Sequence, residues 1–196
     1  MKTMKLMMTA VLLALGMTAA QAQDCCRKKN PVVENILTRT SVRKFQPQAV
    51  EEGKIDTLLR AAMAAPTAVN KQPWHFVVVT DKALLAQLGG ERFGEAPLAI
   101  VVCGDMTKAL QGGGREFWIQ DTSAATENLL LAAHAMGLGA VWTSAWPREE
   151  RYKGIQRLIQ APEHIVPLCV VYAGYPAEQP APKQKFKPEN VTRNHF

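Results

Sequence analysis

Several short segments carry side chains whose types and spacing could do chemistry. Arg39-Thr40-Ser41-Val42-Arg43-Lys44-Phe45 packs cations and hydroxyls into one turn after a helix. Guanidinium forks, hydroxyls and free backbone N–H groups together suit a phosphate dianion. Taken alone, the stronger reading is plainer: a solvated basic helix end, its cations complementing the dipole. Ala65-Pro66-Thr67-Ala68-Val69-Asn70-Lys71-Gln72-Pro73-Trp74 lies between a helix and a strand. Thr67, Asn70 and Gln72 could bond the edge of a planar heterocycle that presents carbonyls and N–H, though for the segment alone ordinary helix-to-strand turn chemistry is the stronger reading. Gly137-Leu138-Gly139-Ala140-Val141-Trp142-Thr143-Ser144 has Trp142 where a dinucleotide fingerprint needs its third glycine, and no strand precedes it, so a Rossmann reading fails. Gly112-Gly113-Gly114 lacks the Lys-Ser/Thr of a P-loop. Lys183-Gln184-Lys185 sits on a proline-rich stretch near the end of the chain.

These segments need a scaffold. Pro31–Thr38 reads as a short helix, and Glu51–Ala65 as a second with Ile55, Leu58, Leu59 and Ala62 at helical spacing. His75–Thr80 is β-branched and reads as a buried strand. Asp81 caps a helix expected to end near Gly89-Gly90, and Ala99–Cys103 is a second strand. The longest helix runs from about Glu116 to Met136 and is closed by Gly137. Gly139–Ser144, Arg148–Ile159 and Ile165–Ala173 follow as strand, helix and strand, and residues 176–188, with prolines at 176, 180, 182 and 188, form an extended arm. The order describes one α/β-type domain carrying an arm.

The 196 residues are 47% hydrophobic and 20% charged, which excludes a disordered chain or a coiled coil and suits one domain with its own core. Residues 1–22 read as a secretory signal: Lys2 and Lys5, an apolar block over Leu6–Met17, then Ala20-Gln21-Ala22. The block is shorter than the roughly 20 residues that span a bilayer, so no stable membrane span is expected. Export to the periplasm is favoured over lipidation at Cys25 or Cys26, because Gln23 and Asp24 do not suit a lipobox. Removing the signal lowers the net charge from +6 to +4, with 21 cations against 17 acids over 174 residues. That mild excess points to anionic ligands more readily than to nucleic acid.

The cysteines form no framework. Cys103 and Cys169 interrupt apolar runs and read as small buried hydrophobes, and without a C-x-x-C pair neither a zinc site nor a thioredoxin-like centre is supported. His75, His134, His164 and His195 are scattered, and a structural or surface role is favoured for each. No Ser/His/Asp or Cys/His set stands out.

In combination and in this order, Arg-x-Ser-x-Arg, Pro-x-x-x-Asn-x-Gln-Pro-Trp, Gly-Leu-Gly-x-x-Trp and a Lys-x-Lys on a proline-rich arm resemble the FMN-dependent nitroreductase family. The resemblance runs from about Asn35 to the C-terminus. It implies an α+β, three-layer α/β/α fold with a central mixed, mainly antiparallel sheet. It implies a homodimer with FMN at the interface, residues 31–196 forming the FMN-binding domain and 176–196 the dimer arm. Residues 23–30 are expected to be flexible. Carried over by motif, Arg39, Thr40, Ser41 and Arg43 hold the phosphate and ribityl chain, joined by Lys183 and Lys185. Lys185 replaces an arginine, which keeps the charge and loses the bidentate fork. Pro66, Thr67, Asn70 and Gln72 line the flavin ring, and Trp142, Thr143 and Ser144 lie against or beside it. Glu116, Phe117 and Trp118 are candidates for the border of the substrate pocket. The chemistry implied is ping-pong hydride transfer through FMN, from NAD(P)H or another donor to a nitroaromatic, quinone or similar planar acceptor, with no protein nucleophile and no metal. Two alternatives stay open: a flavin-binding redox module without turnover, and a relative with dehalogenase or flavin-fragmenting chemistry. Export conflicts with NAD(P)H as donor, since that carrier is cytoplasmic.

Overall fold

The computed structural model describes residues 30–196; the expected leader over residues 1–22, residues 23–29, and Cys25 and Cys26 lie outside the described residues. By contact the chain divides after Leu37. The described part of the first unit is most of helix α1, Pro31–Thr38. Asn30 starts it, its Oδ1 accepting the N–H of Val32 at 2.9 Å and of Val33 at 3.3 Å. Val32, Val33, Ile36 and Leu37 are exposed.

The second unit, Thr38–Phe196, is built on a four-stranded sheet. Its strands are β1 (Trp74–Val79), β2 (Leu98–Asp105), β3 (Gly139–Ser144) and β4 (Ile165–Gly174), in the order β1-β2-β4-β3 with every adjacent pair antiparallel. Among the described residues, the parallel component of the sheet region is a single bridge, Ser41–Ala140. All of β2 is buried, as its unbroken apolar run demands for a central strand covered on both faces. Alternate residues of β2 and β4 feed two cores. Leu98, Ile100, Val102, Cys169, Val171 and Ala173 pack with α2 (Glu52–Met63) and α4 (Phe117–Ala135). Ala99, Val101, Cys103, Val170 and Tyr172 pack with α3 (Lys82–Phe93) and α5 (Glu149–Leu158). This is the three-layer α+β arrangement expected.

Two local details explain where elements end. Asp81 caps α3 by accepting the Leu84 N–H at 2.8 Å, as its position promised. The helix does not stop at Gly89-Gly90, however. The chain breaks at Gly90 (φ 55°) and resumes helical geometry to Phe93. Burial decides the extra turn: Phe93 is sunk in the second core, its ring stacked on Tyr172 at 4.7 Å, and the Tyr172 hydroxyl donates to the Leu88 carbonyl. Beyond β4, residues 179–196 are exposed and carry one short turn, Pro188–Asn190. The root of this arm is tied to the chain after α1 through the Phe45–Pro176 bridge, Ala177 N–H to the Lys44 carbonyl and Gln46 N–H to the Tyr175 carbonyl. Among the described residues no helix is long and apolar enough to cross a membrane.

Candidate functional site

The segment Thr38–Arg43 leaves α1 and is laid along β3. Ser41 bridges Ala140, and Val42 N–H donates to the Ala140 carbonyl at 3.1 Å. The approach is close because residue 139 is glycine: a Cβ there would stand 2.6 Å from Val42 Cγ1 and 2.7 Å from its Cβ. Gly137 does different work, turning the chain out of α4 with φ 74°. The Gly-Leu-Gly motif is thus a turn followed by a docking groove for the basic segment.

The arm root runs on the far side of that segment, and Glu178 accepts the Arg43 backbone N–H at 2.8 Å. The arm then brings Lys183 and Lys185 back to Arg39, Thr40, Ser41 and Arg43, and these six line one cavity of about 160 Å³. Four cations and two hydroxyls converge there, and no acidic side chain is among the lining residues. That donor set fits a phosphate dianion. Arg39 is largely buried and its Nε lies 3.7 Å from Glu127 of α4, while Arg43 Nη1 donates to the Ser41 carbonyl at 3.2 Å.

Arg43 also opens onto a neighbouring concavity of about 580 Å³, shared with Trp142, Thr143, Ser144, Arg148 and Arg151. Thr143 Oγ1 donates to the Val170 carbonyl, and Arg151 Nε to the Ser144 carbonyl. Arg148 and Arg151 were not singled out from the sequence. They belong to no motif, and only the fold brings the start of α5 beside the β3 edge.

The third group stands apart within one chain. Pro66, Asn70 and Gln72 are exposed and Thr67 is half-buried, and none of them lines either concavity. Their loop is nonetheless rigidly specified. Val69, Asn70 and Gln72 hold left-handed φ values of 50°, 54° and 49°. Such a conformation costs a non-glycine residue about 1–3 kcal/mol and collects at functional sites. Thr67 Oγ1 accepts the Gln72 N–H, Gln72 Nε2 donates to Asn70 Oδ1, and the buried Asp121 of α4 accepts the Ala68 N–H at 2.8 Å. Asp121 is a positioning residue that the sequence reading missed. Its signal is the one acid among the buried residues of the long helix.

The remaining candidates sort by burial. Trp118 is a core residue with its ring edge-on to Trp146, whereas Glu116 and Phe117 are exposed. Burial pushes the Cys103 and Cys169 thiols up to about 12, so both are inert hydrophobes in this fold. Thr38 Oγ1 and His134 Nε2 are 3.0 Å apart, and burial, then the neighbouring Arg39 charge, holds His134 below the usual histidine range. Among the described residues no group of His, Cys, Asp and Glu is placed to hold a metal.

In a three-layer α+β domain, the basic segment and the C-terminal arm line one cavity. Residues 36–91 and 86–175 match the Nitroreductase family. A protein of Methanothermobacter thermautotrophicus, provisionally named NADH dehydrogenase/NAD(P)H nitroreductase, is 45% identical over 168 residues, covering 83% of this chain and 86% of that one. A crystal structure of a protein with the same provisional name from Parabacteroides distasonis superposes with a TM-score of 0.81 at 41% identity, covering 86% of this chain and all of the other. An FMN-dependent nitroreductase from Clostridium difficile gives a TM-score of 0.76 at 30% identity, covering 84% and 99%. The chain belongs to the nitroreductase family.

Proposed function

We propose that the protein is an FMN-dependent oxidoreductase that works as a homodimer. The observation that carries this reading is the convergence of Arg39–Arg43 with Lys183 and Lys185, far apart in sequence, around one cavity of phosphate-binding chemistry. The family membership supports oxidoreductase activity, and relatives named FMN-dependent or FMN reductase support that cofactor. Arg39, Thr40, Ser41, Arg43, Lys183 and Lys185 would hold the phosphate. Bound FMN would supply a two-electron carrier between NAD(P)H or another donor and a nitroaromatic, quinone or similar planar acceptor.

The chain's own part is to bind and orient. Trp142, Thr143 and Ser144, reached through Arg43, would border the ring. The rigid loop carrying Pro66, Thr67, Asn70 and Gln72 lies off the cradle of its own chain, which supports a site completed by the same loop of a second copy. The exposed Phe186, Val191 and Phe196 of the arm support docking on that copy.

The test is a flavin titration. Apo protein should bind FMN, be bleached by NADH or NADPH in stopped flow, and be reoxidised by a nitroaromatic or quinone. Bleaching without reoxidation would favour a storage module, and flavin breakdown or dehalogenated product would favour the other family chemistries. Arg39→Ala with Lys185→Ala removes two phosphate contacts, and charge-assisted bonds are worth about 1.5–3 kcal/mol when buried and less when exposed. FMN affinity should fall about a hundredfold while riboflavin changes little. Equal weakening of both flavins sinks the assignment.

A further inference from the structure

Behind the anion cavity stands a second tier that the flavin reading leaves unused. Glu127 and His134 lie seven residues apart on α4, two turns along one face. Each meets one of two consecutive residues, of which Arg39 lines the cavity: Glu127 the Arg39 guanidinium, His134 the Thr38 hydroxyl. Arg39 lines the cavity, and its charge also acts on the imidazole. Two charged groups meet this face of α4: Arg39, from the loop after α1, and Glu127, from the same helix. Helix α2 and the sheet meet α4 through apolar side chains such as Leu58, Ala62, Leu129 and Ala133, with Asn128 donating to the Ala61 carbonyl.

We propose that His134 is a positioning residue that links the anion cavity to a proton: it holds the Thr38 hydroxyl beside Arg39, and a dianion bound at Arg39 and a proton on His134 favour each other. The proposal rests on the phosphate reading of the cavity. The physics is reciprocal coupling between two sites. With the cavity free, the guanidinium repels a proton from the imidazole. A dianion on Arg39 offsets that charge, so the imidazole takes a proton more readily, and the protonated imidazole in turn strengthens the field on the dianion. The Thr38 contact survives both states, because a hydroxyl donates to neutral Nε2 and accepts from Nε2–H. The linkage is therefore electrostatic and needs no rearrangement.

The experiment titrates FMN and riboflavin into the apo protein from pH 5.5 to 8.5, for the wild type and His134→Gln. The FMN phosphate, which titrates at about pH 6 when free, is common to both proteins, so the ratio of the variant's dissociation constant to the wild type's isolates His134. That ratio should rise as pH falls, by up to about tenfold for each unit by which bound dianion raises the imidazole's titration, and the riboflavin ratio should stay flat. A pH-independent FMN ratio overturns the proposal and leaves His134 a structural residue. If neither protein prefers FMN to riboflavin at any pH, the phosphate reading itself has failed, which is a different result. Should His134→Gln not fold, the His134 ring resonances of the wild type are followed by NMR with and without FMN. An upward move of the midpoint on binding is expected, and an unmoved midpoint overturns the proposal.

Discussion

Gly139→Ala tests the geometry that builds the cradle. The added Cβ would stand 2.6 Å from Val42 Cγ1 and 2.7 Å from Val42 Cβ. Carbon atoms pack at about 3.5–4.0 Å, so Val42 must retreat by about 1 Å. Val42 is buried and anchored to β3 by its N–H bond to Ala140. Overpacking of this kind costs about 1–3 kcal/mol. The strain falls on the segment that carries Arg39 to Arg43, moving its donors relative to Lys183 and Lys185. FMN affinity, read by quenching of flavin fluorescence, should drop about 10- to 100-fold. The apo protein should melt several degrees lower, at about 2–4 °C per kcal/mol for a chain of this size. Gly53→Ala calibrates the result. Its Cβ meets nothing within 4 Å and it lies in α2, so it should be neutral or stabilising by up to about 1 kcal/mol. A Gly139→Ala protein with wild-type melting and wild-type FMN affinity would refute the docking-groove explanation of the motif.

Asp121→Ala leaves the Ala68 N–H without its carboxylate and should loosen the loop over residues 66–72, at a cost of about 1.5–3 kcal/mol; amide exchange faster by tenfold or more at that loop is expected, and unchanged exchange would remove Asp121 from the site's support. Cys103 and Cys169, with thiols pushed up to about 12, should resist iodoacetamide at pH 8 in the folded protein and react on denaturation; peptide mapping that found either one alkylated in the native state would contradict their burial.

Much of the scaffold was legible because its signals are local. The β-branched run before Thr80, the cap at Asp81 and the glycine closing the long helix each act within a few residues, and α1 and β3 occupy the spans expected for them. The end of α3 was not legible. Two glycines read as a stop, and the burial of Phe93 against Tyr172, far along the chain, overrode them. Asp121 escaped notice for a similar reason, since its partner lies 53 residues away.

By itself the sequence determined which groups were available: a basic, hydroxyl-bearing turn, a constrained polar loop, a Gly-Leu-Gly turn, and lysines on a stiff arm. Residue type and short spacing specify such things because propensity, capping and proline act over a few bonds. Only the tertiary structure decided which groups meet. The arm's root pairs beside Phe45, so Lys183 and Lys185 reach Arg39 and Arg43, while the loop carrying Asn70 remains off the cradle of its own chain. Those meetings depend on strand order, on the space left by one missing Cβ at Gly139, and on burial across more than a hundred residues, none of which is written in any single stretch of the chain.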